Sequence, residues 1–202
     1  MNRFIDPQSL HDANGAAAEQ YRSDRRTFLK RGMMFTAALG FWSPSLAQAA
    51  GNFALHGREI SLTNIHTGEK FQGEYWHDGK YSPQAFREIK TVLRDYRTND
   101  KFPIDPRLMD VLFVLQHRIG NEAPFEVFSG YRSPATNAWL RRNTEGVARQ
   151  SLHMQGQAID LCLPGTRLSS LHNAAMALHA GGVGYYPSSD FVHVDTGRVR
   201  SW

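Results

Sequence analysis

The strongest restriction on the fold of this chain comes from an acidic residue inside an apolar run. Asp160 lies between Ile159 and Leu161 in the segment 157–163, whose composition is typical of a β-strand. A carboxylate that is buried among apolar side chains needs a compensating partner, and a metal ion is one of the few adequate partners. The fold therefore has to bring such a partner to Asp160.

Two histidines with neighbouring acids are candidates for a site around this residue. His153 precedes Asp160 by a short loop. His193 and Asp195 are two residues apart in a predicted strand, so their side chains leave the same face. Asp190 lies at the entrance of that strand. Two carboxylates on either side of a histidine form a plausible arrangement of metal ligand and base.

A third pattern places an arginine in a turn. The segment 129–133 has the sequence Ser-Gly-Tyr-Arg-Ser, so Arg132 lies between a predicted strand and a predicted helix. Each of the three patterns alone has an ordinary structural explanation, because lone histidines are often packed or surface side chains and lone arginines are often surface charges. Their combination in this order favours a functional site.

The secondary-structure pattern of residues 50–202 predicts an α+β domain with a small, mainly antiparallel sheet and flanking helices. Alternating or continuous apolar runs bounded by turn residues predict the strands. Strands are expected at 59–65, 70–76, 125–129, 157–163, 183–186 and 191–195. Helices are expected to begin at Pro83, Pro106 and Leu168, the first continuing through Tyr96 and the last through Ala180. A further, polar helix is expected to follow the turn at 130–134 and to end at about Arg142.

Charge and cysteine content argue against two classes of protein. Residues 50–202 contain 17 basic and 15 acidic residues, without a basic run that would form a nucleic-acid-binding face. The single cysteine, Cys162, excludes an intramolecular disulfide and a cysteine-based zinc cluster. It is expected to be a buried structural thiol.

The N-terminal residues 1–49 have the pattern of an export signal. Arg25 and Arg26 precede an apolar stretch at 33–42, and the small residues of 47–49 form a cleavage site. The sequence R-R-x-F-L-K resembles the twin-arginine signal. The alternatives are a membrane anchor or a basic surface helix, although the apolar stretch is about half as long as a membrane-spanning helix. We expect a catalytic domain at 50–202 and export to the periplasm.

Three motifs of the chain resemble those of a known superfamily. They are SGYRS at 129–133, S-x-H-x-x-G-x-A-x-D at 151–160 and F-V-H-V-D at 191–195. In this order they resemble the lysostaphin, D-alanyl-D-alanine peptidase and hedgehog superfamily of zinc proteins. Within it, the chain is most similar to the MepK-like (YcbK-like) murein endopeptidases of the periplasm. The segments SLTNIHTGE, RDYR and AGGVGYYP also look like that group, and the resemblance implies a hedgehog/D-Ala-D-Ala-peptidase-like fold.

The resemblance implies roles for four residues. His153, Asp160 and His193 match the three metal ligands, so one Zn²⁺ per chain is expected. A fourth coordination position would be open for water, as in catalytic zinc sites, and the ion would lower the pKa of that water to roughly 7. Arg132 matches the arginine that faces the scissile carbonyl and stabilises the oxyanion.

The resemblance leaves the general base open between two acids. Many members of the superfamily carry an acid three residues before the last histidine ligand, and Asp190 has this spacing from His193. The His-x-Asp pattern is typical of this branch, so Asp195 is a nearly equal candidate. In an alternative role, Asp195 orients His193. Ser151 is expected to support the ligand loop by hydrogen bonding.

Family and compartment together imply peptidoglycan as the substrate. The expected activity is endopeptidase cleavage of cross-links between stem peptides, and the motifs leave D,D and L,D bonds open because pocket walls select the bond. Tyr131, Trp139, Tyr185 and Tyr186 are candidates for these walls or for core packing. The alternatives are a D,D-carboxypeptidase or dipeptidase of the same fold, or a non-catalytic zinc- or wall-binding module. We expect neither a nucleic-acid partner nor membrane insertion of the mature chain, and the oligomeric state stays open.

Overall fold

A mixed β-sheet of eight strands is the centre of the described part of the chain. The computed structural model describes residues 57–202, so the predicted leader at 1–49 and the predicted domain start at residue 50 lie outside the described residues. The strands are β1 Arg58–Asn64, β2 Lys70–His77, β3 Lys80–Tyr81, β4 Phe125–Ser129, β5 Ala158–Cys162, β6 Gly182–Tyr186, β7 Phe191–Asp195 and β8 Arg200–Ser201. Their order in the sheet is β3-β2-β1-β4-β5-β7-β6-β8.

The strand pairing confirms the predicted α+β class and enlarges the predicted sheet. Antiparallel pairs join most neighbours, whereas β1 with β4 and β6 with β8 are parallel. The sheet is therefore mixed and larger than the small sheet that was expected. The two-residue strands β3 and β8 were missed because they are too short for a periodic pattern.

Four helices connect the strands within residues 57–202. They are α1 Pro83–Val92, α2 Pro106–Ile119, α3 Pro134–Asn143 and α4 Leu168–Met176, and short 3₁₀ helices cover Leu152–Gln155 and Pro187–Ser189. The side chains of Ser82, Asp105 and Ser133 accept backbone N–H groups at the starts of α1, α2 and α3, each followed by proline. Within residues 57–202, none of the helices has the length and apolar character needed to cross a bilayer.

Two helices are shorter than the sequence predicted. Helix α1 ends at Val92 rather than continuing through Tyr96, because Asp95 forms a separate turn. The Asp95 carbonyl accepts Asn99 N at 2.7 Å, and its carboxylate accepts Arg97 N at 3.0 Å. Such local bonds of an aspartate compete with helix continuation. Helix α4 ends at Met176, and His179 beyond it has a positive φ of 51°, which interrupts a helix.

The sheet has an apolar face and an opposite face that carries Asp160 and His193, which we call the functional face. In the part of the chain that the structure describes, the apolar face packs with α1, α2 and α4 into one core. Complete burial of each such side chain contributes ~1.5–3 kcal/mol. Because side chains alternate along a strand, the same strands present polar and ionisable groups on the other face. Core residues of the central strands are Leu62, Phe125, Val127, Ile159, Leu161, Val192 and Val194.

Candidate metal centre

Two histidines and one aspartate meet on the functional face. His193 Nδ1 lies 2.8 Å from Asp160 Oδ1, and His153 Nε2 lies 3.3 Å from the same oxygen. The two ring nitrogens are 3.2 Å apart. All three residues are buried, and their potential ligand atoms lie within 4.8 Å of one another. They are close enough together to hold a single ion, and we call them the triad.

Strand pairing and a tight turn bring the triad together. Asp160 on β5 and His193 on β7 are direct partners in an antiparallel register, so their side chains are neighbours on one face. His153 comes from the 3₁₀ helix that precedes β5 and ends at Gly156. Gly156 has a φ of +63°, and a Cβ there would lie 2.1 Å from the carbonyl oxygen of Pro103. Only glycine fits this close approach.

Hydrogen bonds on the far side of each ring orient the two imidazoles. His153 Nδ1 lies 2.7 Å from the Gly130 carbonyl oxygen, so it donates there and leaves Nε2 free to ligate. His193 Nε2 lies 3.1 Å from Asp195 Oδ2, which leaves Nδ1 facing Asp160. Support of this kind is the usual outer shell of histidine metal ligands. Two imidazoles and one carboxylate fit a zinc ion with one open position.

The surroundings of Asp160 and His153 favour the charge states that bind a cation, whereas those of His193 favour the protonated ring. For Asp160, burial would raise the pKa, but the two imidazoles hold it below its ordinary value. Burial lowers the pKa of His153, which favours the neutral ring. For His193, burial acts downward, but hydrogen bonds to Asp160 and Asp195 raise the pKa. An ionised carboxylate and a neutral imidazole are the forms that bind metal.

Asp195 is fully buried, and its carboxylate is surrounded by donors. Arg200 Nη2 donates to Oδ2 at 2.6 Å and Nη1 donates to Oδ1 at 3.1 Å. The backbone N–H groups of Gly182 and Gly197 each donate to Oδ1 at 2.9 Å. Burial would raise the pKa of Asp195, but these bonds and that from His193 lower it. Asp195 lies behind His193, bound by groups that hold it in place.

Asp190 lies apart from the triad at the start of β7. It is exposed, and its φ of 55° is in the left-handed region. Within residues 57–202, the hydrogen bonds and ion pairs of the triad do not include it. Burial and the neighbouring Glu126 are the main causes that raise the pKa of Cys162 to about 12, and the charge of Asp190 is a smaller one. Cys162 follows Asp160 on the same face of β5, so Asp190 lies at the rim of the functional face.

Arg132 lies against the triad with part of its guanidinium free. Its Nη2 lies 3.4 Å from Asp160 Oδ2 and 3.3 Å from Ser129 Oγ. Its Nε is buried and has no hydrogen-bond partner in the described part of the chain. The backbone N–H of Arg132 donates to the His153 carbonyl at 3.2 Å, which links the turn to the segment that carries His153. Burial lowers the pKa of Arg132, but an arginine remains charged near neutral pH.

An aromatic wall flanks the triad near β6 and β8. The Trp202 ring lies 5.2 Å from the His193 ring, and its Nε1 donates to the Tyr186 hydroxyl at 2.6 Å. Phe191 stacks on Tyr186 at 4.7 Å and contacts Phe128 at 5.7 Å, measured between ring centroids. These four rings line the site on the side of His193.

The predicted aromatic and loop residues have different positions in the structure. Tyr186 belongs to the aromatic wall, but Tyr131 is buried beside Phe102, and Tyr185 contacts His172 of α4. Ser151 is buried, and its side chain makes no capping hydrogen bond to the 3₁₀ helix. Its carbonyl instead accepts Met154 N at 3.0 Å, so its support of the loop comes from the backbone.

Sequence reasoning missed three supporting groups. Arg200 holds Asp195, Trp202 packs on His193, and the Gly130 carbonyl orients His153. The first two follow β7 after a tight turn, where no periodic pattern marks them. The third group belongs to the SGYRS motif, but its acceptor is a backbone carbonyl, and the residue type does not reveal what a backbone carbonyl binds.

Comparisons with known proteins match most of the chain to one family. A family model described as peptidoglycan L,D-endopeptidase MepK matches residues 52–202. The peptidoglycan L,D-endopeptidase MepK of Escherichia coli (strain K12) is 39% identical over 184 residues, which cover 91% of this chain and 100% of that protein. That of Shigella flexneri has the same identity and coverage. The probable peptidoglycan L,D-endopeptidase MepK of Haemophilus influenzae is 42% identical over 146 residues, covering 72% of this chain and 78% of the relative.

Proposed function

The chain belongs to the peptidoglycan L,D-endopeptidase MepK family, and from this membership we propose that it hydrolyses peptide cross-links between the stem peptides of peptidoglycan. The observation that carries the proposal is the triad, in which two oriented imidazoles and one carboxylate are within ligand distance of one another. The relatives are named for L,D bonds, so we assign the L,D cross-link as the bond that is cut.

Zn²⁺ is the resident ion in this proposal, held by His153 Nε2, His193 Nδ1 and a carboxylate oxygen of Asp160. When bound, the ion supplies Lewis-acid chemistry, which lowers the pKa of water and polarises a carbonyl. The donor set supports zinc because it combines borderline nitrogen ligands with one carboxylate. The hydrogen bonds that the rings donate to the Gly130 carbonyl and to the Asp195 carboxylate support the same assignment.

Arg132 stabilises the oxyanion of the scissile carbonyl. Its guanidinium lies beside Asp160, and its side-chain hydrogen bonds within residues 57–202 are two long ones from Nη2, to Ser129 Oγ at 3.3 Å and to Asp160 Oδ2 at 3.4 Å. A fixed cation with unused donors next to the reacting carbonyl stabilises the negative charge that develops there. The link between Arg132 N and the His153 carbonyl holds this cation in a constant position relative to the triad.

The two acids have different roles in this proposal. Asp195 orients His193, because both of its oxygens already accept hydrogen bonds and it lies behind the ring. Asp190 is the general base, since its carboxylate is exposed at the rim of the functional face and it lies three residues before His193, the spacing that many members of the superfamily have. The orienting acid, Asp195, is thus the last residue of β7, and the proposed base, Asp190, directly precedes the first.

The proposed substrate also implies the compartment in which the catalytic domain acts. Peptidoglycan lies outside the inner membrane, so the catalytic domain at 50–202 acts in the periplasm. The twin-arginine pattern of residues 1–49 provides the route. Export by this route carries folded proteins, which suits a chain that binds its metal before export. We assign the hedgehog/D-Ala-D-Ala-peptidase-like architecture on the same basis of family.

Product analysis on defined substrates tests the function. The zinc-loaded chain is incubated with two purified stem-peptide dimers, one joined by an L,D bond and one by a D,D bond, and the products are weighed by mass spectrometry. Conversion of the L,D dimer into two monomers, with one water added, is the expected result. Removal of a terminal D-alanine alone would identify a carboxypeptidase. Zinc binding without any peptide release would identify a non-catalytic module. An Arg132→Ala protein is the control for contaminating hydrolases.

A further inference from the structure

The segment Arg94–Arg97, the RDYR motif, packs directly against the turn that carries Arg132. Asp95 in this segment is buried, and its two carboxylate oxygens bind two parts of the chain. Oδ1 accepts Arg97 N at 3.0 Å, and Oδ2 accepts Ser133 N at 2.9 Å. One carboxylate therefore holds the backbone of Arg97 close to the residue that follows Arg132.

Stacking orders the side chain of Arg97. Its guanidinium carbon lies 4.2 Å from the Tyr96 ring centroid and 6.0 Å from that of Trp139. Tyr96 is itself held by the His66 ring, with which it stacks at 3.9 Å. Contacts of a guanidinium with aromatic faces restrict its motion without using its N–H donors. Arg97 thus has a defined position, and the donors of its side chain have no hydrogen-bond partner among residues 57–202.

Arg97 is exposed and has no acidic partner in the described part of the chain. Within residues 57–202, the ion pairs of the nearby arginines are those of Arg94 with Glu69 and of Arg132 with Asp160. Burial is the main reason for the lowered pKa of Arg132, and the charge of Arg97 is a further one, which agrees with their closeness. Two arginines at one edge of the site form a positive rim that favours an anionic group.

We propose that Arg97 binds a free carboxylate of the substrate, supplied by a diamino dicarboxylic acid of the stem peptide beside the scissile bond. The proposal rests on the proposed peptidoglycan substrate: one carboxyl group of this residue forms the cross-link, and the second stays free beside it. Arginine recognises carboxylates with two parallel N–H···O bonds, and the stacked guanidinium of Arg97 is ordered for this geometry. Arg132 remains available for the reacting carbonyl.

A binding experiment on the zinc-loaded full chain tests this assignment without requiring turnover. The ligands are two stem tripeptides ending in the diamino dicarboxylic acid, identical except that the carboxylate that does not enter the cross-link is free in one and amidated in the other. Calorimetry gives the dissociation constants for the wild type, Arg97→Gln and Arg167→Gln. Arg167 is an exposed arginine before α4, so its variant removes the same charge from a part of the chain outside the site.

The wild type and Arg167→Gln are expected to bind the free carboxylate form about tenfold or more tightly than the amidated form, and Arg97→Gln is expected to lose this preference. Arg97→Lys should retain part of it, because lysine keeps the charge but lacks the planar fork. The proposal is overturned if the wild type does not distinguish the two ligands. It is also overturned if Arg97→Gln keeps the full preference, since the carboxylate would then bind the metal or another residue.

The same proteins separate this proposal from the proposed function. Cleavage of the cross-linked dimers is measured in a parallel assay. If the wild type releases no product, the endopeptidase function fails, while the difference in ligand affinity still decides the role of Arg97. If cleavage occurs and Arg97→Gln raises KM for the dimer with free carboxylates but not for the amidated dimer, both proposals are supported.

Discussion

The two faces of β5 and β7 have the same backbone and opposite chemistry. Leu161 and Val194 point into the core with the helices, whereas Asp160 and His193 point to the functional face. Leu161 directly follows Asp160 in the sequence, and Val194 directly follows His193. A register shift of one residue would exchange the two sets, so core packing also fixes the alignment of the triad.

The two faces differ in what stabilises them. Apolar side chains on the core face are stabilised by removal of their surface from water. On the functional face, buried ionisable groups lose hydration and depend on one another and on Arg132 and Arg200 for compensation. Substitutions on the core face should therefore change stability, and substitutions on the functional face should change metal binding or turnover.

The largest effect is expected for the triad. Asp160→Ala, His153→Ala and His193→Ala should each abolish zinc binding, because two remaining ligands do not hold the ion with useful affinity. Metal analysis after dialysis measures occupancy, and circular dichroism reports the fold. Glu126→Ala removes a carboxylate from the same face outside the triad and should keep its zinc. Full occupancy in a triad variant would remove that residue from the ligand set.

The core face should respond through stability. Leu161→Ala leaves a cavity under the sheet and should lower the free energy of unfolding by ~2–5 kcal/mol. Denaturant unfolding of the metal-free proteins measures this change. The next residue, Cys162, is only partly buried on the opposite face, and Cys162→Ala should cost less than ~1 kcal/mol. Equal losses in both variants would contradict the assignment of the two faces.

Arg132 should affect turnover without affecting the metal. Arg132→Ala is expected to keep zinc and to lower kcat by about a hundredfold or more, since one oxyanion donor is lost. Steady-state kinetics on a cross-linked dimer, with metal content measured on the same sample, separate the two effects. Unchanged turnover would show that the oxyanion is stabilised elsewhere.

The smallest expected effect distinguishes the two acids. Asp195→Asn should weaken zinc affinity by about 10–100-fold, because His193 loses its orienting carboxylate. Asp190→Asn should leave zinc affinity unchanged and lower kcat, because the group that takes the proton from the attacking water is lost. Competition with a chelating dye measures the affinities. The reverse pattern would exchange the two roles.

Local sequence patterns predicted most elements of the fold. The capped starts of α1 and α2 and the alternation in β7 are signals that neighbouring residues carry. The ends of α1 and α4 were wrong, because Asp95 and His179 use local conformations that apolar periodicity does not detect. The roles of the three metal ligands stay predictions, although the side chains lie together.

Residue types and their alternation along strands were properties of the amino-acid order, and they limited the chemistry to imidazoles, carboxylates and an arginine. Which of these groups meet depended on contacts between distant segments. The pairing of β5 with β7 sets His193 against Asp160, and β8 brings Arg200 to Asp195. Asp95 joins the RDYR motif to the Arg132 turn. Such contacts arise from the packing of the whole sheet, and no local pattern encodes the distance between side chains that are far apart in the chain.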